Sequence, residues 1–170
     1  MFERSQISNQ TWQAYCQTII QFHPQNAPVE QRINIRASDL NGGDWVWSDS
    51  VSEVFVLSPG NPYSELLSDM ENIGREAELV KLVKASGINF ENCLGMSPDE
   101  EWIERSLLLW IVDADLVKQW GNQFEQNAYF RLTPETLEVI SLVDGRHHKS
   151  GWQSQTIESD EFEEDYLGTW

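Results

Sequence analysis

Three groups of polar residues have types and spacings that could do chemistry. The first is Asn61-Pro62-Tyr63-Ser64 with Asn72 and Arg75. Its amides and hydroxyl donate and accept hydrogen bonds, and Arg75 offers a planar cation suited to a carboxylate or phosphate. Asn72 and Arg75 are three residues apart, so on a helix they share a face. A helix starting just after this loop would add unpaired N–H groups and partial positive charge, which favour an anion. Arg75 is the sole basic residue between Arg36 and Lys81. The plainer account is an Asx or Ser turn plus a surface pair of Arg75 with Glu78 or Glu71. The second group is Trp102, Glu104 and Arg105, with Asp99, Glu100 and Glu101 upstream. Paired carboxylates can act as general acid and base or hold a divalent cation, although a solvated acidic loop is commoner. The third is Gln126-Asn127, whose amides either cap a helix and shape a turn or read a ligand's polar edge.

The usual motifs for phosphate, dinucleotide, acyl-transfer and zinc-protease chemistry do not occur. Two cysteines, Cys16 and Cys93, and three histidines leave little for zinc, and His147-His148 is an adjacent pair rather than a helical one. No metal or cofactor is expected, and both cysteines read as buried thiols. Twenty-eight acids against 11 bases give a net charge of −17, which argues against direct nucleic-acid binding. The charge suits solubility or a saline cytoplasm; a sharper reading is a basic partner, or mimicry of nucleic-acid charge. The longest apolar run, residues 107–112, is far shorter than the roughly 20 residues a membrane helix needs. The N-terminus leads into no signal-peptide core, so a cytoplasmic location is expected, with no membrane contact.

The elements that would position these groups follow from periodicity. Trp12, Tyr15, Ile19 and Phe22 form one helical stripe over residues 11–22. Residues 32–36 alternate as a half-buried strand, and Trp45 and Trp47 suit a short one. Residues 54–57 are apolar throughout, which reads as a strand buried on both faces. A helix over residues 69–85 has a Ser68/Glu71 capping box and Gly87 at its end, with Met70, Ile73, Ala77, Val80 and Val83 as its stripe. Residues 88–96 and 107–112 read as strands. Asp113 caps a helix carrying Leu116, Trp120 and Phe124, and residues 128–132 and 136–142 suggest a hairpin. After Val143 a polar linker leads into an acidic segment that reads as mobile, so the division is a single α+β domain over residues 1–143 and a tail over 144–170. Phe162, Tyr166, Leu167 and Trp170 could dock on the body or on a partner.

From residue 54 to 132 the order is strand, helix, strand, strand, helix, strand. This is the ferredoxin-like βαββαβ order: a mainly antiparallel sheet with two helices on one face. An N-terminal helix and strand and a C-terminal strand would be additions. The two runs apolar on every residue would lie side by side in the middle. With those runs taken as parallel, the Asn61 loop and Asp113 share one end of the sheet, while Trp102, Glu104 and Gln126 sit at the other. That arrangement predicts two sites, or a partly structural role for these groups.

The pattern Asn61-Pro62-x-Ser64, then Ser68-x-x-Glu71-Asn72-x-x-Arg75-x-x-x-Leu79, resembles a bacterial family of unknown function, DUF3293. Trp102-x-Glu104-x-Ser106 and Phe124-x-Gln126-Asn127-Ala128 are similar to it as well, and the resemblance runs from about Trp12 to Leu142. In that family Gly is usual where this chain has Glu125, and Pro where it has Arg105. The resemblance implies no reaction, cofactor or partner. The expectation is a small regulatory or ligand-binding domain for a polar or anionic molecule near Asn61, Ser64, Asn72 and Arg75. Trp102, Glu104, Gln126 and Asn127 form a second candidate cluster. The alternatives are a hydrolase or transferase with Glu104 or Asp113 as acid/base, and an acidic module binding a basic protein partner through its tail.

Overall fold

Residues Val54–Leu57, strand β3, are apolar throughout because both of their faces are buried in a computed structural model that describes residues 6–159. Val54 and Val56 point into the interior of a barrel, while Phe55 and Leu57 point outward under two helices. Strand β5 (Ile103–Trp110) repeats this, with Leu108 inside and Leu107 and Leu109 outside. The other strands are β1 (Ile19–Phe22), β2 (Gln31–Ser38), β4 (Asn89–Met96), β6 (Ala128–Leu132), β7 (Leu137–Ser141) and β8 (His147–Glu158). The helices are α1 (Asn9–Cys16), α2 (Asp69–Ala85) and α3 (Ala114–Gln123). The strands close in the order β1-β2-β8-β7-β6-β3-β5-β4, with β4 pairing back to β1.

This closed, eight-stranded antiparallel barrel overturns the expected ferredoxin-like open sheet. An open sheet would leave two edges unpaired, but here β1 covers β4 and β7 covers β6. The two apolar strands do lie side by side, with Leu57 opposite Leu107, but they run antiparallel. The direction follows from the connections. Helix α2 carries the chain back so that β4 starts where β3 started, and the tight turn at Ser97–Trp102 then reverses it. That turn is closed by Ser97 N–H donating to the Trp102 carbonyl at 2.9 Å, with Glu100 in the left-handed region at φ 60°.

Strand β8 occupies the stretch expected to be a polar linker. It pairs with β2 from Gln31–Glu158 to Ser38–Gly151, and with β7 from Leu137–Ser150 to Ile140–His147. Its largest apolar side chain, Trp152, is fully buried in the barrel, and its indole N–H donates to the Thr133 carbonyl at 2.9 Å. Gly145, at φ 74°, makes the turn into β8. Asp144 and Arg146 flanking it bind the start of α1: Asp144 accepts from Ile7 N–H at 2.8 Å, Arg146 donates to the Ile7 carbonyl, and its guanidinium lies over the Trp12 ring. The expected acidic tail from residue 160 onward, including Phe162, Tyr166, Leu167 and Trp170, lies outside the described residues.

Three further expectations are corrected. The expected helix over residues 11–22 stops at Cys16, because Thr18-Ile19-Ile20 is β-branched and enters the barrel as β1. Residues 45 and 47 form no strand. Trp47 instead stacks on Phe22 with ring centroids 5.3 Å apart, and Trp45 meets its edge, so the loop plugs one end of the barrel. Helix α2 has the expected capping box, but it buries Glu76, Leu79, Val80 and Val83 and leaves Met70 and Ile73 exposed. Among the described residues, no helix is long and apolar enough to cross a membrane. Cys93 is buried and Cys16 half-buried, both as free thiols.

Candidate functional site

Because β3 and β5 are antiparallel, the end of β3, the start of β5 and the start of β6 meet at one mouth of the barrel. Seven of the eight candidate residues from the two predicted clusters make hydrogen bonds around that mouth, to one another or to its loops. Asn61 is the hub of the first set. Its backbone N–H donates to Asn72 Oδ1 at 2.9 Å, its Oδ1 accepts from Asn72 Nδ2 at 2.9 Å and from Leu67 N–H at 3.0 Å, and its Nδ2 donates to Glu104 Oε1 at 3.0 Å. The last bond joins the two clusters. Gln126 Nε2 donates to the Gly60 carbonyl at 2.9 Å, and Asn127 Nδ2 donates to Ser64 Oγ at 3.0 Å. Trp102, the eighth residue, bears on Glu104 through its side chain. Asp113 stands apart, capping α3 at the far end of β5 by accepting from Asp115 N–H.

Arg75 does not face an open anion site. Its Nε donates to the Pro59 carbonyl at 2.7 Å, Nη2 donates to the Phe124 carbonyl, and Nη1 lies 3.7 Å from Glu125. The guanidinium also covers the Phe124 ring. It therefore fastens the β3–α2 loop to the α3–β6 loop. The N-terminus of α2 already carries Asp69 and Glu71 in its first turn, so the helix has its own negative charge there. Arg105 pairs with Glu76 at 3.5 Å on the outer wall.

A cleft of about 390 Å³ opens into the barrel mouth. Ile20, Val56, Ala128 and Phe130 form its apolar floor, and one face of α1 contributes Thr11, Ala14 and Tyr15. Tyr15, Ser64, Glu104, Ser106 and Gln126 supply polar groups. Tyr15 Oη lies 3.1 Å from Ser64 Oγ, so a chain of hydrogen bonds runs from Asn127 through Ser64 to the phenol. Burial pushes the Tyr15 phenol up, and the negative Glu104 nearby pushes it the same way, against hydrogen bonds from Ser64 and Asn127. The phenol thus stays protonated. Burial also raises the Glu104 carboxyl, while hydrogen bonds from Asn61, Ser58 and Trp102 favour its charged form. A second cleft of about 400 Å³ lies on the outer wall between α2 and β5, and Ser58 and Glu104 border both.

The loop that shapes the mouth is strained. Asn61, Tyr63 and Ser64 all adopt left-handed backbone conformations, at φ 46°, 51° and 63°. Glu125 does too, at φ 56°, and its carbonyl accepts from Tyr63 N–H at 2.7 Å. Non-glycine residues in this region cost of order 1–3 kcal/mol each and persist where their surroundings over-determine them. Here the hydrogen bonds of Asn61, Asn127 and Arg75 do so.

Residues 57–129 match the family described as Protein of unknown function (DUF3293). The DUF3293 segment starts at the last residue of β3 and ends within β6, so it contains all eight candidate residues. It is shorter than the expected stretch from Trp12 to Leu142. No curated protein and no solved structure matches the chain. Tyr15 and Ile20 lie outside the DUF3293 segment and were not candidates from sequence. Tyr15 read as one member of a helical stripe, and only barrel closure turns it toward Ser64.

Proposed function

We propose that the protein binds a small molecule with an apolar body and hydrogen-bonding groups in the cleft at the barrel mouth. The observation that carries this reading is the cleft itself. Its floor is apolar, and Tyr15, Ser64, Glu104 and Gln126 converge on its rim. Ligand sites commonly combine an apolar cavity of this size with a few fixed polar groups. Of the two ligand classes expected, polar and anionic, the geometry favours the polar one. None of the residues lining the cleft is Lys, Arg or His, and Arg75 is engaged by backbone carbonyls.

Gly95 makes the test selective. A Cβ there would meet Thr18 Cγ2 at 3.6 Å and Ser106 Oγ at 3.9 Å, which is ordinary contact, and a longer side chain would fill the cleft. Benzyl alcohol, an apolar ring with one hydroxyl, is expected to shift the amide signals of Tyr15, Gly95, Ser106 and Ala128. Gly95→Leu should fold and lose the response. Unchanged spectra in the wild type, or equal shifts in Gly95→Leu, would remove the proposal.

A second reading, a hydrolase or transferase, is favoured by the burial-raised Glu104 carboxyl beside the Tyr15 phenol. In it Glu104, not Asp113, moves the proton. The reading as an acidic module with a basic protein partner rests on the segment after residue 159, outside the described residues.

A further inference from the structure

The arrangement around Glu104 narrows the ligand class of the proposed cleft, and this inference rests on that proposal. Glu104 is half-buried and borders the cleft, and its hydrogen-bond partners, Asn61, Ser58 and Trp102, are all neutral. Among the described residues no basic side chain forms an ion pair with it. The neighbouring Arg105 turns to Glu76 on the outer wall, and Arg75 turns to the Pro59 and Phe124 carbonyls. A carboxylate removed from water without a cation is costly, and a bound cation would offset that cost.

The rest of the wall suits the same partner. Tyr15 and Phe130 line the cleft as a tilted ring pair with centroids 6.3 Å apart, and the Trp102 ring lies on the rim. Aromatic faces attract ammonium groups and also bury the hydrocarbon attached to them. The net charge of −17 raises the local concentration of cations around the molecule.

We infer that the cleft takes an organic amine, with its ammonium group against the Glu104 carboxylate and its apolar body on Tyr15, Trp102 and Phe130. The Tyr15 and Ser64 hydroxyls remain to bind a further polar group on such a ligand.

Three probes of similar shape separate this inference from the cleft reading: benzylamine, benzyl alcohol and benzoate, titrated by calorimetry at neutral pH and moderate salt. Benzylamine is expected to bind the wild type roughly tenfold more tightly than benzyl alcohol, and benzoate most weakly. In Glu104→Gln, which keeps the shape of the side chain, the amine and alcohol should come within about twofold of each other. Gly95→Leu should abolish amine binding, which separates the cleft from general attraction to an acidic surface.

Equal binding of amine and alcohol by the wild type would overturn the inference while leaving the cleft proposal standing, and needs no variant to fold. Amine binding that survives Gly95→Leu would overturn it as well. Failure of all three probes would remove both readings.

Discussion

Glu125 follows the C-cap of α3 with a left-handed backbone, φ 56°, at a position where helices commonly end in glycine. A side chain in this conformation carries a steric cost that glycine avoids, partly offset by glycine's greater freedom in the unfolded chain. The ion pair to Arg75 is long, at 3.7 Å, and half of the Glu125 side chain is exposed, so its loss costs little. Glu125→Gly is therefore expected to stabilise the protein by up to about 1 kcal/mol, read as a higher urea midpoint with an unchanged slope. A lower midpoint would show that the Arg75 pair outweighs the strain. Asn61, Tyr63 and Ser64 share that left-handed conformation, and no residue-by-residue propensity announces three such positions in a row of four.

At the scale of elements, α2 and the loops at its start act as one unit. The helix was legible in the sequence because Ser68, Glu71 and Gly87 mark its ends whatever surrounds it. Its buried face was not legible. Met70 and Ile73 suit a stripe by spacing, but they are exposed, while Glu76 and Leu79 are buried. Arg75 was found by its isolation in the sequence, and its role differs from the expected one because two backbone carbonyls claim its donors. Arg75→Ala should leave unfolding cooperative but destabilise the protein by about 2–3 kcal/mol, since charge-assisted bonds to two carbonyls are lost. Arg75→Lys should recover little, because one ammonium cannot span both acceptors. Urea denaturation checks both variants, and a loss below about 0.5 kcal/mol would mean that water replaces the guanidinium freely.

For the whole molecule the decisive event is closure. Strand β8 is polar on most residues, so only pairing with β2 and β7 reveals it as structure, and no apolar alternation after Asp144-Gly145 marks it as the turn into a strand. Cutting the chain after Val143 removes β8, Trp152 and the Asp144–Arg146 clamp on α1 together. The shortened chain is expected to lose its cooperative thermal transition and to expose apolar surface that binds a hydrophobic dye. Cooperative melting at an unchanged Tm would show that the barrel does not need its eighth strand.

Taken alone, the sequence determined the strands apolar on both faces, the capped helices and four of the residues that line the cleft, Ser64, Trp102, Glu104 and Gln126. Those features depend on spacing, on end-capping and on residue type, all of which are local. Tertiary structure decided that β3 and β5 are antiparallel, that β1 and β8 close the sheet, and that Tyr15 faces Glu104 and Ser64. Strand direction depends on how connections fold back, and closure depends on backbone hydrogen bonds that polar residues make as well as apolar ones. Side-chain periodicity carries neither.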